Sequence, residues 1–180
     1  MNTVLFSVLS MRMDVGYPWE RLYVDWQVSE KVSVFGLYEQ PSLMRIQPNA
    51  GLSMIWLDRS WNVSGEVLLG SIVQNAQIDK KGPSAEFRIT THKSVGNVRP
   101  WLYLGWKESL FIDKWIIESA NGTREDLVPN RELTLPGGFG VDFIVQDWTI
   151  GVGLDLPWVD VPTPSIPGIH LSIGKGGNIR

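Results

Sequence analysis

Several kinds of residue are scarce or absent in this chain of 180 residues. Cysteine is absent, which excludes disulfide bonds, thiolate catalysis and zinc sites built on cysteine. The two histidines, His92 and His170, are too far apart for a recognisable metal-ligand spacing. Charged residues make up only 19% and the net charge is -3, so we expect no nucleic-acid partner. No run approaches the roughly 20 apolar residues that a membrane-spanning helix needs.

The most regular pattern that is present is a two-residue alternation on both sides of the pair Gln146-Asp147. Every second residue is apolar, and the residues between them are mostly glycine, threonine or aspartate. The apolar members are Phe139, Val141, Phe143, Val145, Trp148, Ile150, Val152 and Leu154. This pattern predicts a β-hairpin with one apolar face and one small or polar face.

The composition of the two faces indicates which of them points outward. A soluble barrel or sandwich would place its apolar face inside and a lysine-rich face in water, whereas the second face of this hairpin is rich in glycine and poor in lysine. We therefore expect the apolar side chains to face lipid and the polar ones to face a lumen. Residues 61–73 and 84–92 show the same inversion.

Ten extended segments recur along the chain, and amphipathic helical periodicity is hard to find. They cover residues 3–14, 19–28, 32–40, 49–57, 61–73, 84–92, 98–106, 133–145, 148–157 and 166–174. Short turns follow the even-numbered segments and mostly longer connections follow the odd-numbered ones, as in transmembrane barrels. The sequence predicts one domain over residues 1–180, an all-β, antiparallel, up-and-down transmembrane β-barrel of about ten strands (range roughly 8–12).

A closed barrel of this kind would gather the polar faces of its strands in one lumen. The interior of a ten-stranded barrel is only slightly larger than side chains can fill, and a buried charge without a counter-charge is costly. We therefore expect a lumen network of salt bridges and hydrogen bonds. Its predicted members are Arg21, Asp25, Glu66, Glu86, Arg88, His92, Asp142, Asp155 and His170.

The longest predicted connection covers residues 107–132 and mixes apolar with charged residues. Connections of this length are usually functional or disordered, and the apolar content argues against disorder. The segment could fold over the barrel mouth, extend two strands past the membrane, or bind a partner such as another envelope protein or a ligand. The residues that represent this partner loop are Lys107, Phe111, Trp115 and Arg124.

These features resemble the small outer-membrane β-barrel proteins of Gram-negative bacteria, a porin-like class of membrane protein. The resemblance rests on AGLSMIWLDRSWNVSGEVLLG (residues 50–70), GGFGVDFIVQDWTIGVGLDLPW (137–158) and RPWLYLGW (99–106). It covers most of the chain and indicates an architecture, not a specific member. It implies a location in the bacterial outer membrane, lipid as a neighbour, and a structural, adhesive or partner-binding role through the longer loops, or a narrow pore.

Two departures from that resemblance keep a soluble alternative open. The first ten residues make a poor signal peptide, and the chain ends in Asn-Ile-Arg, where members of the class usually end in an aromatic residue. The alternative is a soluble lipocalin-like barrel that binds an apolar ligand inside.

A third interpretation is an outer-membrane enzyme that modifies lipid. His92 and Ser94 have the His-x-Ser spacing of lipid A deacylases, but Val95 follows the serine where that family has asparagine. The two residues are weak catalytic candidates, and a non-enzymatic role is favoured. We expect no cofactor and no bound metal.

Overall fold

Ten antiparallel strands form a closed barrel in the computed structural model, which describes residues 8–17, 20–42, 45–74, 80–120, 122–159 and 167–175. Consecutive strands are neighbours, and β1 pairs with β10 to close the barrel. The strands are β1 Val8–Tyr17, β2 Glu20–Gln27, β3 Val32–Ser42, β4 Arg45–Asp58, β5 Asn62–Gln74, β6 Lys80–His92, β7 Val98–Ser119, β8 Gly122–Val145, β9 Trp148–Val159 and β10 Gly168–Lys175. The predicted antiparallel up-and-down barrel is confirmed.

No helix in these described ranges is both long and apolar enough to cross a membrane.

The β8–β9 hairpin shows how the sequence sets the register. Val145 pairs with Trp148 across a two-residue turn, and Gln146 has a φ of 57°, the left-handed conformation that tight hairpin turns require. From this turn the register proceeds without a shift, so that Asp142 pairs with Gly151 and both face the same side. A slip of one residue would reverse the two faces.

The apolar residues of this alternation lie on the outside of the barrel. Six of the eight are exposed and Val141 and Leu154 are partly exposed, whereas Asp142, Thr149 and Asp155 of the same strands are buried inside. The exposed six are Phe139, Phe143, Val145, Trp148, Ile150 and Val152.

Two rims bound the barrel. The turn rim is formed by the connections 28–31, 59–61, 93–97 and 146–147, and the opposite, hairpin rim carries the tip of the β7–β8 hairpin. Predicted connection lengths at the hairpin rim are wrong in two places, because β3 continues to Ser42 and β4 begins at Arg45, and β7 and β8 occupy most of residues 107–132. Main-chain pairing runs from Lys107–Thr134 to Ser119–Gly122, which satisfies backbone groups that a loop would leave to water.

The outer surface carries an uncharged band between the two rims. On β6 the outward row begins at Lys81, ends at Lys93 and contains only Pro, Ala, Phe, Ile and Thr between them. At about 3.3 Å per residue and a tilt of about 40°, these lysines stand roughly 30 Å apart along the barrel axis, which matches the hydrocarbon thickness of a bilayer. On β7 and β8 an outward Glu108–Arg131 ion pair of 2.8 Å marks the hairpin-rim side of the band.

Tryptophans border this band at the turn rim. Trp26, Trp56, Trp61 and Trp148 are exposed there, as expected of residues at a membrane interface. Trp101 instead faces the lumen. The side chains of Trp19, Trp115 and Trp158 lie outside the part that the structure describes.

Candidate functional site

The lumen holds a concentrated set of buried charges. Of the nine residues predicted for the network, Arg21, Glu66, Glu86, Arg88, Asp142, Asp155 and His170 are buried, and Asp25 and His92 are partly buried. The structure adds buried charges that the sequence did not single out. These are Arg12, Asp14, Glu39, Arg99 and Lys107.

Asp142 organises the cluster nearest the turn rim. It is 1% exposed, and its Oδ2 accepts hydrogen bonds from Arg12 Nη1 at 3.1 Å and from Arg99 Nη2 at 2.9 Å. Trp101 Nε1 donates to Oδ1 at 3.2 Å, and Arg12 Nε donates to Asp14 at 2.8 Å. Strands β1, β7 and β8 are therefore joined across the lumen by charge-assisted hydrogen bonds.

Asp155 organises a second cluster on the β9 wall. Arg21 Nη1 donates to both of its carboxylate oxygens at 3.0 and 3.1 Å. Tyr103 OH donates to Oδ1 at 2.5 Å and itself accepts from Arg21 Nη2 at 3.2 Å. His170 Nδ1 lies 2.9 Å from Asp155 Oδ2, and its Nε2 lies 3.9 Å from Asp14 Oδ2. The histidine thus connects the two clusters.

Glu39 organises a third cluster in which cations outnumber the central carboxylate. Arg21 Nε lies 3.2 Å from Glu39 Oε1, Arg88 Nη2 lies 3.7 Å from the same atom, and Lys107 Nζ lies 3.4 Å from Oε2. Glu86 accepts from Arg88 Nη2 at 2.7 Å and lies 3.7 Å from Lys107 Nζ, and Asp155 of the second cluster pairs with Arg21, so the two carboxylates balance the excess positive charge. Lys107 also donates to Gln47. Because Arg21 belongs to two clusters, the network is continuous across the barrel.

Apolar side chains fill the lumen next to the third cluster. Phe35, Leu37 and Leu68 are buried there, and the Tyr23 ring stacks on Phe35 with ring centres 5.0 Å apart. Nearer the hairpin rim, Phe111 is 3% exposed, and the Arg45 guanidinium lies 6.0 Å above its ring. Both apolar side chains and ion pairs therefore occupy this part of the lumen.

Glycines on β8 and β9 create the room that the large lumen side chains need. A Cβ placed on Gly140 would lie 2.4 Å from Trp101 Cζ2, and one on Gly153 would lie 2.6 Å from both Trp101 and His170. Trp101 and His170 stack with ring centres 6.0 Å apart. The glycine-rich face that the sequence showed is thus the surface on which these rings pack.

A cavity of about 70 Å³ remains within the lumen. Its lining includes Arg88, Arg99, Glu66, His92 and Trp101. This volume holds a few water molecules, since one water needs roughly 10–15 Å³ on this measure. It is too small for a lipid chain or a sugar.

The residues predicted for the partner loop lie in different environments in the structure. Lys107 and Phe111 face the lumen and are buried, so their assignment to a loop is wrong, because the strand alternation of β7 continues through them. Arg124 is exposed on β8 and pairs with Asp126 at 2.7 Å. The side chain of Trp115 lies outside the described residues.

The weak catalytic candidates lie at the turn rim. His92 is the last residue of β6 and is partly buried, and Ser94 is exposed in the following connection. No group of three or more potential metal ligands occurs among the residues that the structure describes.

The sequence pattern could have identified some of the lumen residues that were not predicted, but not all of them. On β1, Ser10, Arg12 and Asp14 alternate with Leu9, Met11, Met13 and Val15. In the first predicted segment the consecutive apolar residues Val4, Leu5 and Phe6 precede this alternation, and the sequence leaves the faces of that strand ambiguous. Glu39 lies on β3 after inward-facing Phe35 and Leu37, so no polar inward row announced it.

Comparison with known proteins gives a likeness of fold. No protein-family model matches the chain, and no curated protein matches it. The N-terminal β-barrel domain of Pseudomonas aeruginosa OprF shares 9% identity, with 94% of both chains covered and a TM-score of 0.40. The Yersinia pestis outer membrane protein Ail in a phospholipid bilayer nanodisc shares 13% identity over 95% of this chain and 99% of that chain, with a TM-score of 0.44.

A porin is also similar. KdgM, solved in complex with disordered oligogalacturonate, shares 7% identity over 96% of this chain and 99% of that chain, with a TM-score of 0.42. All three TM-scores lie below 0.5, so the fold and the role of this chain rest on its own residues.

Proposed function

We propose that this chain is an integral barrel of the bacterial outer membrane that has a closed lumen and binds a partner through its β7–β8 hairpin. The observation that carries the proposal is the uncharged outer band around a lumen full of paired charges. A soluble barrel has the reverse arrangement, with apolar side chains inside and charges outside.

The outer band supports insertion into lipid. On β6 the outward row contains no acidic or basic residue between Lys81 and Lys93, and on β9 and β10 the described outward rows contain none before Lys175, whereas the uncharged rows of β2 and β7 are shorter and end at Glu20 and Glu108. A contiguous apolar surface of this extent is unstable in water and marks contact with a membrane or a partner. On β6 its height of roughly 30 Å fits a bilayer.

The closed lumen supports a role other than transport. The three clusters centred on Asp142, Asp155 and Glu39 extend across the barrel, and the cavity beside Arg88 and Arg99 holds only a few waters. An interior formed by ten strands is only slightly larger than side chains can fill. A narrow pore would need these ion pairs to open together, which would expose unpaired charges in a poorly hydrated space.

The β7–β8 hairpin supports a binding role at the membrane surface. Pairing of β6 with β7 reaches Ser84–Ser109, and pairing of β8 with β9 begins at Thr134–Val159. Residues 110–119 of β7 therefore continue past these pairs for about 33 Å measured along the strand. Leu110, Ile112 and Leu127 are 51–67% exposed on this hairpin, an apolar surface typical of contact sites.

Pro129 and the charged residues of the β7–β8 hairpin argue against pairing of a foreign strand with the edge of β8 before Thr134. Proline has no amide hydrogen to donate, and charged edge residues such as Arg131 discourage pairing with foreign strands. The partner would therefore contact side chains of the hairpin, and the apolar residues would form the centre of that contact.

Fractionation tests the membrane part of the proposal. The expressed chain should require detergent for extraction, and the folded form should migrate differently from the boiled form on a gel. If the chain is monomeric in buffer without detergent, the soluble lipocalin-like alternative replaces the proposal. That alternative also predicts an apolar ligand inside, where the structure has the Arg21–Asp155 pair.

Site-specific photo-cross-linking in cells tests the partner-binding part. A photoreactive residue at Leu127, which is 67% exposed, should yield a protein adduct. The same residue at Leu69, which is 64% exposed in the outer band, is the matched control and should yield lipid adducts alone. If Leu127 gives no protein adduct in intact cells, the hairpin is not a partner-binding element.

Enzymatic lipid modification is the remaining alternative. Ser94 is exposed and lies in the connection after β6, and His92 faces the lumen cavity. A lipid-modifying activity that His92→Ala and Ser94→Ala both abolish in folded protein would establish that function instead.

A further inference from the structure

Two lysines end outward rows at the turn rim, and each lies over a tryptophan ring. Lys93 follows the outward residues of β6, and its Nζ is 5.7 Å from the centre of the Trp61 ring. Lys175 follows Ile169, Leu171 and Ile173 of β10, and its Nζ is 5.4 Å from the centre of the Trp148 ring. These distances are within the range of cation–π contacts.

The backbone register brings both pairs together. Lys175 is directly opposite Trp148 in the β9–β10 ladder. Asn62 is opposite His92 in the β5–β6 ladder. Trp61, one residue before Asn62, and Lys93, one residue after His92, are therefore neighbours at the turn rim. The two pairs stand on different parts of the rim, because β7 and β8 lie between the β5–β6 pair and the β9–β10 pair.

The position of these pairs along the barrel axis determines which part of the membrane they contact. Each lysine is the first charged residue after an apolar row, so its ammonium group lies where hydrocarbon gives way to headgroups. The tryptophan rings are about half exposed and belong to the aromatic belt of that rim. An ammonium group that is held over such a ring keeps its remaining N–H donors available to a phosphate oxygen.

We propose that the pairs Lys93–Trp61 and Lys175–Trp148 are two binding sites for the phosphate of anionic phospholipid in the leaflet at the turn rim. The nearby carboxylates Asp58 and Asp147 stand in or next to turns, beyond the ends of the apolar rows and farther from the hydrocarbon. An anionic headgroup is favoured over a zwitterionic one, because each basic residue near a charged membrane surface adds electrostatic attraction.

This proposal rests on the proposed function only in requiring that the barrel be embedded in lipid. The test is the thermal unfolding midpoint of the full chain in a non-ionic detergent, with phosphatidylglycerol or phosphatidylcholine of the same acyl chains added. We expect phosphatidylglycerol to give a midpoint about 2–4 °C higher than phosphatidylcholine. The double variant Lys93→Gln/Lys175→Gln should lose that difference, whereas Lys93→Arg/Lys175→Arg should keep it.

Lys81→Gln is the matched control, because Lys81 lies on the outward row of β6 at the opposite rim. It should keep the full difference, and inorganic phosphate at the same concentration should leave the midpoint unchanged. Equal midpoints in the two lipids, an undiminished difference in the double glutamine variant, an equal loss in Lys81→Gln, or an equal shift by inorganic phosphate would each overturn the proposal. Gel migration of boiled and unboiled samples reports folding separately, so a failure to insert is recognised as a failure of the proposed function.

Discussion

At the scale of single residues, large side chains in the lumen pack against glycines, and buried charges pair with opposite charges. Trp101 occupies space that Gly140 and Gly153 leave open, and Asp142 receives two guanidinium groups. Each of these contacts joins different strands, so a substitution at one residue changes the packing of its neighbouring strands. Close packing leaves little room for adjustment.

Gly140→Ala should destabilise the barrel by about 1–3 kcal/mol, because the added methyl group would overlap Trp101 and the carbonyl oxygen of Val152. Gly36→Ala is the control, since a Cβ at that outward position has nothing within 4 Å. Urea unfolding in lipid vesicles measures both variants. Equal stability of the two would contradict the packing described for Trp101.

Asp142→Asn should destabilise the barrel by about 3–5 kcal/mol, because it leaves Arg12 and Arg99 without their shared buried counter-charge. Asp147→Asn, in the exposed turn of the same β8–β9 hairpin, should change stability by less than about 0.5 kcal/mol. The same urea titration compares them. A cost at Asp142 no larger than that at Asp147 would show that the ion pairs are not formed.

At the scale of elements, the strands differ in how well the sequence predicts them. The β8–β9 hairpin was predicted within a few residues, because its alternation is regular and its two-residue turn is short. For residues 107–132 the sequence predicts a connection and leaves open whether it folds over the barrel mouth, extends two strands past the membrane or binds a partner; the structure has the two extended strands. The main-chain pairing of each strand depends on the opposite strand, which no local pattern encodes.

Position along a strand should set the cost of an outward charge. Val152→Arg, in the middle of the β9 row, should destabilise the barrel by about 2–4 kcal/mol, whereas Val145→Arg, the last outward residue of β8 at the turn rim, should cost about 0–1 kcal/mol. Both valines are exposed, at 45% and 56%. Unfolding in lipid vesicles gives the two values. Equal costs would mean that no lipid surrounds the middle of the band.

At the scale of the whole molecule, the barrel separates an outer surface made for lipid from an interior made of paired charges. The sequence predicted this division and the number of strands, because both follow from alternation repeated along the chain. It did not predict which charges pair, because Arg21 and Asp155 are 134 residues apart and meet only when β1 closes on β10. Long-range closure of this kind leaves no local trace.

The closed lumen predicts electrical behaviour. In a planar bilayer the barrel should show no stable porin-sized conductance, because ion pairs and apolar side chains occupy its lumen. Simultaneous replacement of Glu39 and Lys107 by alanine removes both charges of one pair and should raise the frequency of brief openings. Large steady conductance of the unmodified barrel would contradict a closed lumen.

The most direct test of the account measures what surrounds the outer band. Since the chain has no cysteine, single cysteines at Val152 and at Asp147 can carry a spin label in vesicle-reconstituted protein. The label at Val152 should be relaxed by oxygen, which concentrates in lipid, and protected from a water-soluble nickel reagent, with the reverse order at Asp147. Access of the nickel reagent to Val152, or protection of Val152 from both reagents, would contradict a lipid-facing band.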